Sequence, residues 1–228
     1  MLKRIGLLLV LLVGLPVAWG NSSARELAAL VRAKEVLGLE GWTAALQIEA
    51  EQPGRSRDSV LVFEFAGALW LYRPVDGTRS LSRRWNQVAA DRERLLELLQ
   101  GIDPTYRAYH EYSDVALAAV PQLRGELPNG CFVESVAEAR RLARGAEAVQ
   151  GCLLTYYVNT TEGLRGHTVL CYENTAGTHV YDPAVGRSRT VKPFPVQARA
   201  MELARQIVPD PLARVLAKAG KIMVPALG

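Results

Sequence analysis

The chain has 228 residues, of which 49% are hydrophobic and 22% are charged, and its formal net charge is +4. This length suits one well-cored domain or two small ones, and the composition is that of an ordinary globular protein. The basic residues are spread along the chain rather than gathered in blocks, which argues against a nucleic-acid-binding surface. The sequence therefore predicts no nucleic-acid partner.

The N-terminus has the order of a secretory signal peptide. Lys3 and Arg4 precede an unbroken apolar run over residues 5–13, and small residues follow. The run is shorter than the roughly 20 apolar residues that a membrane-spanning helix needs. We expect a signal peptide at 1–20, with cleavage after Ala24 as the alternative, and a periplasmic or secreted mature chain without a stable membrane span. An uncleaved anchor helix is the remaining alternative.

The region 21–102 is predicted to contain an antiparallel meander between two helices. Apolar residues recur at helical spacing on either side of strand-like segments, and Asp76-Gly77 is typical of a tight hairpin turn. The predicted elements are a helix at 23–37, three or four strands within 43–82, and an amphipathic helix at 86–100.

The region 103–228 is predicted to be a cysteine-protease-like catalytic region. It begins with a long irregular segment, 103–130, of the kind that is often functional in a compact domain. The predicted elements after it are a helix at 131–144, strands at 151–159, 167–173 and 178–182, a loop at 161–166, a turn at 174–177, and two short helices within 193–228. The expected fold class is α+β, with the helix packed on an antiparallel sheet and the N-terminal meander and helices beside it.

Cys131 is the strongest candidate nucleophile because it begins a predicted helix, with Asn129 expected as the N-cap and Gly145 as the stop. The aligned peptide dipoles at a helix N-terminus lower the pKa of a thiol, and the thiolate is the form that attacks a carbonyl. The free backbone N–H groups of the first turn can also stabilise an oxyanion.

The imidazole partner must come from the chain's three histidines, which are His110, His167 and His179. A hairpin loop at 174–177 pairs Glu173 with Thr178. In that register Asp182 lies diagonally beside His167, about 7 Å away between backbones, and on the same face because side chains alternate along a strand. His179 faces the other side. The pattern predicts a nucleophile, base and orienting carboxylate in Cys131, His167 and Asp182.

Three segments carry a family resemblance: NGCF at 129–132, GHTVLCYE at 166–173 and HVYDP at 179–183. Over residues 127–186 the chain resembles the papain-like and transglutaminase-like cysteine protease superfamily, as an exported member of bacterial type. The resemblance implies that Cys131 is acylated, that His167 is the general base and acid, and that Asp182 orients the imidazole.

The chain departs from that family's pattern at the oxyanion donor. Papain-type enzymes have a glutamine six residues before the cysteine, where this chain has Gly125, and Gln122 is a weak substitute three residues earlier. Cell-wall endopeptidases with a Cys-His-His site are a neighbouring alternative, in which His179 would be the third member. Their Asp-Cys-Ser-Gly signature is absent, and the strand register opposes His179.

The other two cysteines, Cys152 and Cys171, are expected near each other on adjacent strands. A cross-strand disulfide and two buried free thiols are equal alternatives in an exported protein. A zinc site built from Cys171, His167 and His179 is disfavoured because the spacing matches no compact ligand pattern. The sequence predicts no metal and no cofactor.

The sequence thus favours an exported cysteine-dependent acyl-transfer enzyme, a peptidase, amidase or transglutaminase-like protein that works through a thioester. Its partner would be a peptide, protein or cell-wall amide substrate. The alternative is a catalytically inactive transglutaminase-like fold that acts as an exported peptide- or protein-binding module.

Overall fold

The computed structural model describes residues 24–38, 41–52, 55–82, 92–123, 125–145, 150–160, 163–193, 198–208 and 214–224. The predicted signal peptide lies outside these residues. The helices are α1 (Ala24–Leu37), α2 (Arg92–Gln100), α3 (Asp114–Ala118), α4 (Cys131–Arg144) and α5 (Ala200–Ile207). No helix of the described segments is long and apolar enough to cross a membrane.

The first sheet has five antiparallel strands in the order β4-β3-β2-β1-β5. Its strands are β1 (Thr43–Gln52), β2 (Arg55–Phe65), β3 (Ala68–Arg73), β4 (Gly77–Ser82) and β5 (Tyr106–Glu111). The predicted meander is confirmed as four antiparallel strands, β1 to β4, that pair in chain order. Gly77, at φ +89°, supplies the left-handed conformation that the β3–β4 turn requires.

The second sheet also has five antiparallel strands, in the order β10-β6-β7-β8-β9. Its strands are β6 (Gln150–Thr160), β7 (Gly163–Asn174), β8 (Gly177–Asp182), β9 (Arg187–Thr190) and β10 (Arg214–Met223). The fold is therefore α+β with antiparallel sheets, as expected.

The two sheets bury opposite sides of one helical layer. Strand β2 shows how: Leu61 and Phe63 face a core that also contains α1, α4 and the second sheet, whereas Val60 and Val62 face α2. On the second sheet, Leu170 joins the shared core, and neighbouring strand residues pack against α5. Strand alternation thus produces layers in the order α2, first sheet, α1 with α4, second sheet, α5.

Several sequence predictions were wrong. The segment 103–130 was expected to be a long loop or short helical turns; the short helix α3 fits that expectation, but strand β5 was not predicted. The second C-terminal helix is instead β10, which pairs with β6, and β9 was not predicted. The expected loop at 161–166 is shorter, since β7 already begins at Gly163. Strands β5 and β10 pair with strands distant in sequence, β1 and β6, and β9 is a short polar strand that pairs with β8, so none of them has a strong local pattern.

The expected boundary between the regions 21–102 and 103–228 cuts through the first sheet. Strand β5 follows that boundary in sequence, yet it pairs with β1, as in Ile48 with Tyr109. The segment that precedes the candidate nucleophile therefore starts from the first sheet and ends at α4.

Candidate active site

Helix α4 begins at Cys131, as the sequence predicted, but its N-cap is Gly130 and not Asn129. The first intrahelical bond runs from the Glu134 N–H to the Gly130 carbonyl, at 2.9 Å. Gly130 has no side chain with which to cap the first turn, so the amides there have no partner within the helix. A Cβ at Gly130 would lie 2.4 Å from the Leu127 Cβ, which explains why glycine precedes Cys131.

Strands β7 and β8 bring His167 and Asp182 together. Glu173 pairs with Thr178, as the sequence predicted, and the register holds as far as Leu170 with Tyr181. Asp182 is the next residue, at the end of β8. Its Oδ1 lies 2.8 Å from His167 Nε2, and both side chains are about a quarter exposed, at 30% and 24%.

The imidazole also contacts the candidate nucleophile. Cys131, which is half-buried, and His167 are hydrogen-bond partners. Since Asp182 occupies Nε2, the nitrogen that remains for the thiol is Nδ1. The three predicted residues thus form one connected chain of carboxylate, imidazole and thiol.

The pKa values of the thiol and the imidazole are shifted in opposite directions. Burial tends to raise the pKa of the Cys131 thiol, but the hydrogen bond and charge of His167, helped by Thr168, lower it below its ordinary value. Burial tends to lower the pKa of His167, but Asp182 and Cys131 raise it to about 9. His167 in turn lowers the pKa of Asp182. Both shifts favour transfer of the thiol proton to the imidazole.

Thr168 is a site residue that the sequence reasoning missed. Its backbone amide and its side chain both hydrogen-bond the Cys131 sulfur, and its carbonyl accepts the Ser135 hydroxyl at 3.2 Å. The N–H and C=O of one residue point to the same side of an antiparallel strand, and β8 pairs with β7 only from Leu170 onward. The first turns of α4 therefore contact β7 at the edge that β8 leaves open, while the rest of the helix packs on the face of the sheet.

Ser135 was the sequence signal for this contact. It is fully buried, one turn after Cys131, within the apolar stripe of α4. A buried hydroxyl in such a stripe needs a hydrogen-bond partner, and the partner here is the strand that carries the histidine. Tyr156 was missed as well. It pairs with His167 across β6 and β7 and packs edge-to-face on the imidazole, with ring centroids 5.8 Å apart.

Gln122, the weak oxyanion candidate, is exposed in the segment between α3 and α4. Among the described residues, no hydrogen bond connects its side chain with Cys131. His179 pairs with Tyr172, as the register predicted, and its Nε2 lies 2.9 Å from Asn174 Oδ1. It therefore lies outside the cluster, and His110 lies beside Glu49 on the first sheet.

Cys152 and Cys171 are directly opposite each other on β6 and β7, both nearly inaccessible to solvent, and the structure has them as free thiols. Their positions match the expected proximity, and the structure contains no disulfide between them. In the described segments no group of three or more histidine, cysteine, aspartate or glutamate side chains is arranged to hold a metal ion.

The cluster has the groups that acyl transfer needs: a thiol of lowered pKa, a base that contacts it, a carboxylate behind the base, and helix-start amides beside the sulfur. The chain matches no known protein family, no curated protein and no solved structure.

Proposed function

We propose that this chain is an exported cysteine-dependent acyl-transfer enzyme with Cys131 as the nucleophile, His167 as the base and acid, and Asp182 as the residue that orients the imidazole. The observation that carries the proposal is the position of His167 between two partners. Its Nε2 lies 2.8 Å from Asp182, and the ring hydrogen-bonds the thiol at the start of α4. Any one of these residues alone is common in a structural role, but the connected set is typical of thiol catalysis.

In the proposed reaction, the Cys131 thiolate attacks a carbonyl carbon and forms a tetrahedral intermediate. The oxyanion accepts hydrogen bonds from the first-turn amides of α4. The His167 imidazolium donates its proton to the leaving amine as the carbon–nitrogen bond breaks, and a thioester remains on Cys131. His167 then removes a proton from the incoming water or amine, which attacks the thioester; the carbon–sulfur bond breaks, the Cys131 thiolate is released, and the thiolate and imidazolium are restored.

The proposed substrate is an amide carried by a peptide, a protein or a cell-wall polymer. Export is supported by the sequence order of residues 1–20, a charged head followed by an apolar run. The papain-like or transglutaminase-like assignment is supported by the chain order of Cys131, His167 and Asp182 and by a nucleophile helix that contacts an antiparallel sheet. The residues proposed for the reaction require no cofactor.

Thiol labelling tests the proposal without knowledge of the substrate. Iodoacetamide is applied to the mature chain across the acidic to neutral range, and mass spectrometry follows modification of each cysteine. We expect Cys131 to react at about pH 6 much faster than a model thiol of pKa about 8.5. His167→Ala should abolish that excess rate.

His179→Ala is the matched control, because His179 lies on the neighbouring strand and contacts Asn174 and Tyr172 instead of the thiol. It should leave Cys131 labelling unchanged. If Cys131 in the unaltered protein reacts no faster than an ordinary thiol, the enzyme assignment is wrong and the alternative of a peptide- or protein-binding module is favoured. If labelling is fast, a screen of peptide amides with and without added amines separates hydrolysis from transamidation.

A further inference from the structure

The segment just before Cys131 is attached to the first sheet, not to the sheet that carries His167. The Asn129 side-chain amide donates to two carbonyls of the β3–β4 turn, Pro74 O at 2.8 Å and Val75 O at 3.0 Å. The Tyr72 hydroxyl donates to the Pro128 carbonyl at 2.7 Å. Three hydrogen bonds therefore hold residues 128–129 against one edge of the first sheet.

The β3–β4 turn is itself held by a charged network. Arg73 Nε donates to Asp76 Oδ1 at 2.7 Å, and Arg79 donates to the same carboxylate at 2.6 Å. Arg73 also donates to Asp58 at 3.1 Å, and the Asp58 side chain is only 3% exposed. Because the Arg73 guanidinium binds two carboxylates, the β3–β4 turn that accepts the Asn129 hydrogen bonds is held rigidly on the first sheet.

The backbone at Asn129 shows what this attachment does. Asn129 has φ +52°, a left-handed conformation that asparagine tolerates better than most residues do. This single residue turns the chain from the first sheet into α4, and Cys131 follows two residues later. A Cβ on Gly77 would lie 3.3 Å from the Asn129 carbonyl, so the two backbones are in close contact.

The nucleophile is therefore held from two sides. On one side, Thr168 and Ser135 join α4 to the free edge of β7. On the other, Asn129 joins the start of α4 to the first sheet. The distance between the thiol and the imidazole depends on both attachments, because each fixes one of the two backbones that carry the reacting groups.

We propose that Asn129 is a positioning residue for Cys131 and that the β3–β4 turn of the first sheet is the support that aims the nucleophile at His167. The inference rests on the proposed function, since aiming matters only for a thiol that reacts. It assigns the first sheet a part in the chemistry, although that sheet contributes no group of the triad.

Three variants test the attachment. Asn129→Gly keeps the left-handed backbone accessible and removes the amide, and Asn129→Asp keeps the shape but places a carboxylate against two carbonyls. Tyr72→Phe removes only the hydroxyl that holds Pro128. The matched control is Asn174→Gly, because Asn174 also makes side-chain hydrogen bonds in a turn, to the Ala176 amide and to His179, away from the thiol.

The measurement is the pH profile of Cys131 alkylation by iodoacetamide on the full mature chain, with a thermal melt of each variant. We expect the profile of Asn129→Asp to move to higher pH by about one unit, which is about tenfold slower labelling on the acidic limb. Asn129→Gly should move it less, and Tyr72→Phe least, in the same direction. Asn174→Gly should leave it unchanged.

Each outcome separates the inference from the function that it rests on. A fast, low-pH profile in the unaltered protein that persists in folded Asn129→Gly and Tyr72→Phe overturns the positioning role and leaves the proposed function standing. An ordinary thiol profile in the unaltered protein overturns both. If the Asn129 variants melt before they can be measured, Tyr72→Phe decides, because that change keeps the ring and hence the packing.

Discussion

Each of the two sheets holds a polar cluster, and the clusters differ in how far water reaches them. On the first sheet, Asp58 accepts hydrogen bonds from Tyr106 at 2.7 Å and from Arg73 at 3.1 Å, with side chains 3% exposed for the aspartate and 11% for the arginine. On the second, His167 and Asp182 are about a quarter exposed beside a half-buried thiol.

That difference in exposure separates a closed cluster from one that a ligand can reach. In the first cluster both carboxylate oxygens of Asp58 accept hydrogen bonds, one of them from the Ser59 amide, so no side is open to a ligand. In the second cluster the pKa of the thiol is lowered and the pKa of the imidazole is raised, and both side chains are partly exposed to solvent. A closed ion pair gives conformational specificity, whereas an open pair with displaced pKa values is typical of a functional site.

The largest expected effect is on stability, and it comes from breaking the contact between the first sheet and helix α4. The Phe132 ring packs against Trp70 at 4.6 Å and against Phe65 at 6.3 Å between centroids. Phe132→Ala should lower the free energy of unfolding by about 4 kcal/mol because it opens a cavity in the core that the two sheets share. Urea denaturation measures the loss. Val115→Ala, at a site 82% exposed, is the control and should change stability by less than about 0.5 kcal/mol.

A loss of under about 1 kcal/mol for Phe132→Ala would contradict the shared core, because a ring so enclosed cannot be removed at that cost. Two separate unfolding transitions in the unaltered protein would contradict it equally, since they would mean that the two sheets unfold independently.

The next effect concerns the closed cluster of the first sheet. Asp58→Asn removes the charge that faces Arg73 and should lower the free energy of unfolding by about 3 kcal/mol, because a buried guanidinium loses one of its carboxylates. The remaining partner of Arg73, Asp76, keeps the loss from being larger. Denaturation at neutral pH measures it. A stability change within about 0.5 kcal/mol would contradict a structural role for this cluster.

The corresponding change in the open cluster is Asp182→Asn, and its main effect should be on the pH profile. Acyl transfer in the unaltered protein should rise with the Cys131 pKa, which lies below its ordinary value, and fall above about 9, where His167 loses its proton. Asp182 raises the His167 pKa, so its removal should move the upper limb to lower pH, by about one unit or more. The rate should fall by about tenfold to a hundredfold.

The same pair contributes to folding stability with a definite sign. Because the pKa of folded His167 is raised to about 9, the stabilisation is complete below the ordinary histidine pKa of 6.5 and is lost as the pH rises through about 9. Denaturation on both sides of this range measures the free energy of unfolding of the unaltered protein and of Asp182→Asn. The two values should differ mainly at the lower pH. In the pH profile of acyl transfer, an unchanged upper limb in Asp182→Asn would mean that the aspartate does not act on the imidazole.

The part of the site predicted from sequence depended on short-range geometry. His167 and Asp182 flank a hairpin, and any symmetric turn that pairs Glu173 with Thr178 brings them to one face. Cys131 followed from an apolar stripe and a start signal. The real turn is two residues rather than four, yet the register is the same, because the extra pair, Asn174 with Gly177, extends the ladder on both strands.

The part that sequence did not give depends on contacts between distant segments. The sequence of β10 has no pattern that distinguishes a strand from a helix, and its pairing with β6 decides its conformation. Strand β5 is polar and lies at a sheet edge, so it lacks an apolar strand pattern. Asn129 looked like an N-cap because asparagine at a helix start usually caps it. Its side-chain amide instead donates to carbonyls of the β3–β4 turn, more than 50 residues earlier in the chain. No local sequence rule could indicate a contact of that separation.

The smallest expected effect is at the thiol pair on the second sheet. Cys152 and Cys171 are 5% and 1% exposed, and they lie in the cluster that packs against α5 rather than against α4. The hydrogen bond to Cys152 and burial raise the pKa of Cys171. Iodoacetamide should therefore modify Cys131 in the folded protein and spare the other two, and Cys152→Ala should change the Cys131 labelling rate by less than about twofold, because it alters no contact of the reacting thiol.

Denaturation without a reductant then distinguishes the two states of this pair. Free thiols, as the structure has them, become alkylated as soon as the chain unfolds. A cross-strand disulfide would stay unlabelled until a reductant is added. The second result would show that the protein crosslinks β6 to β7 four residues from His167. The sheet that carries the imidazole would then be covalently fixed, while helix α4 is held by hydrogen bonds and packing alone.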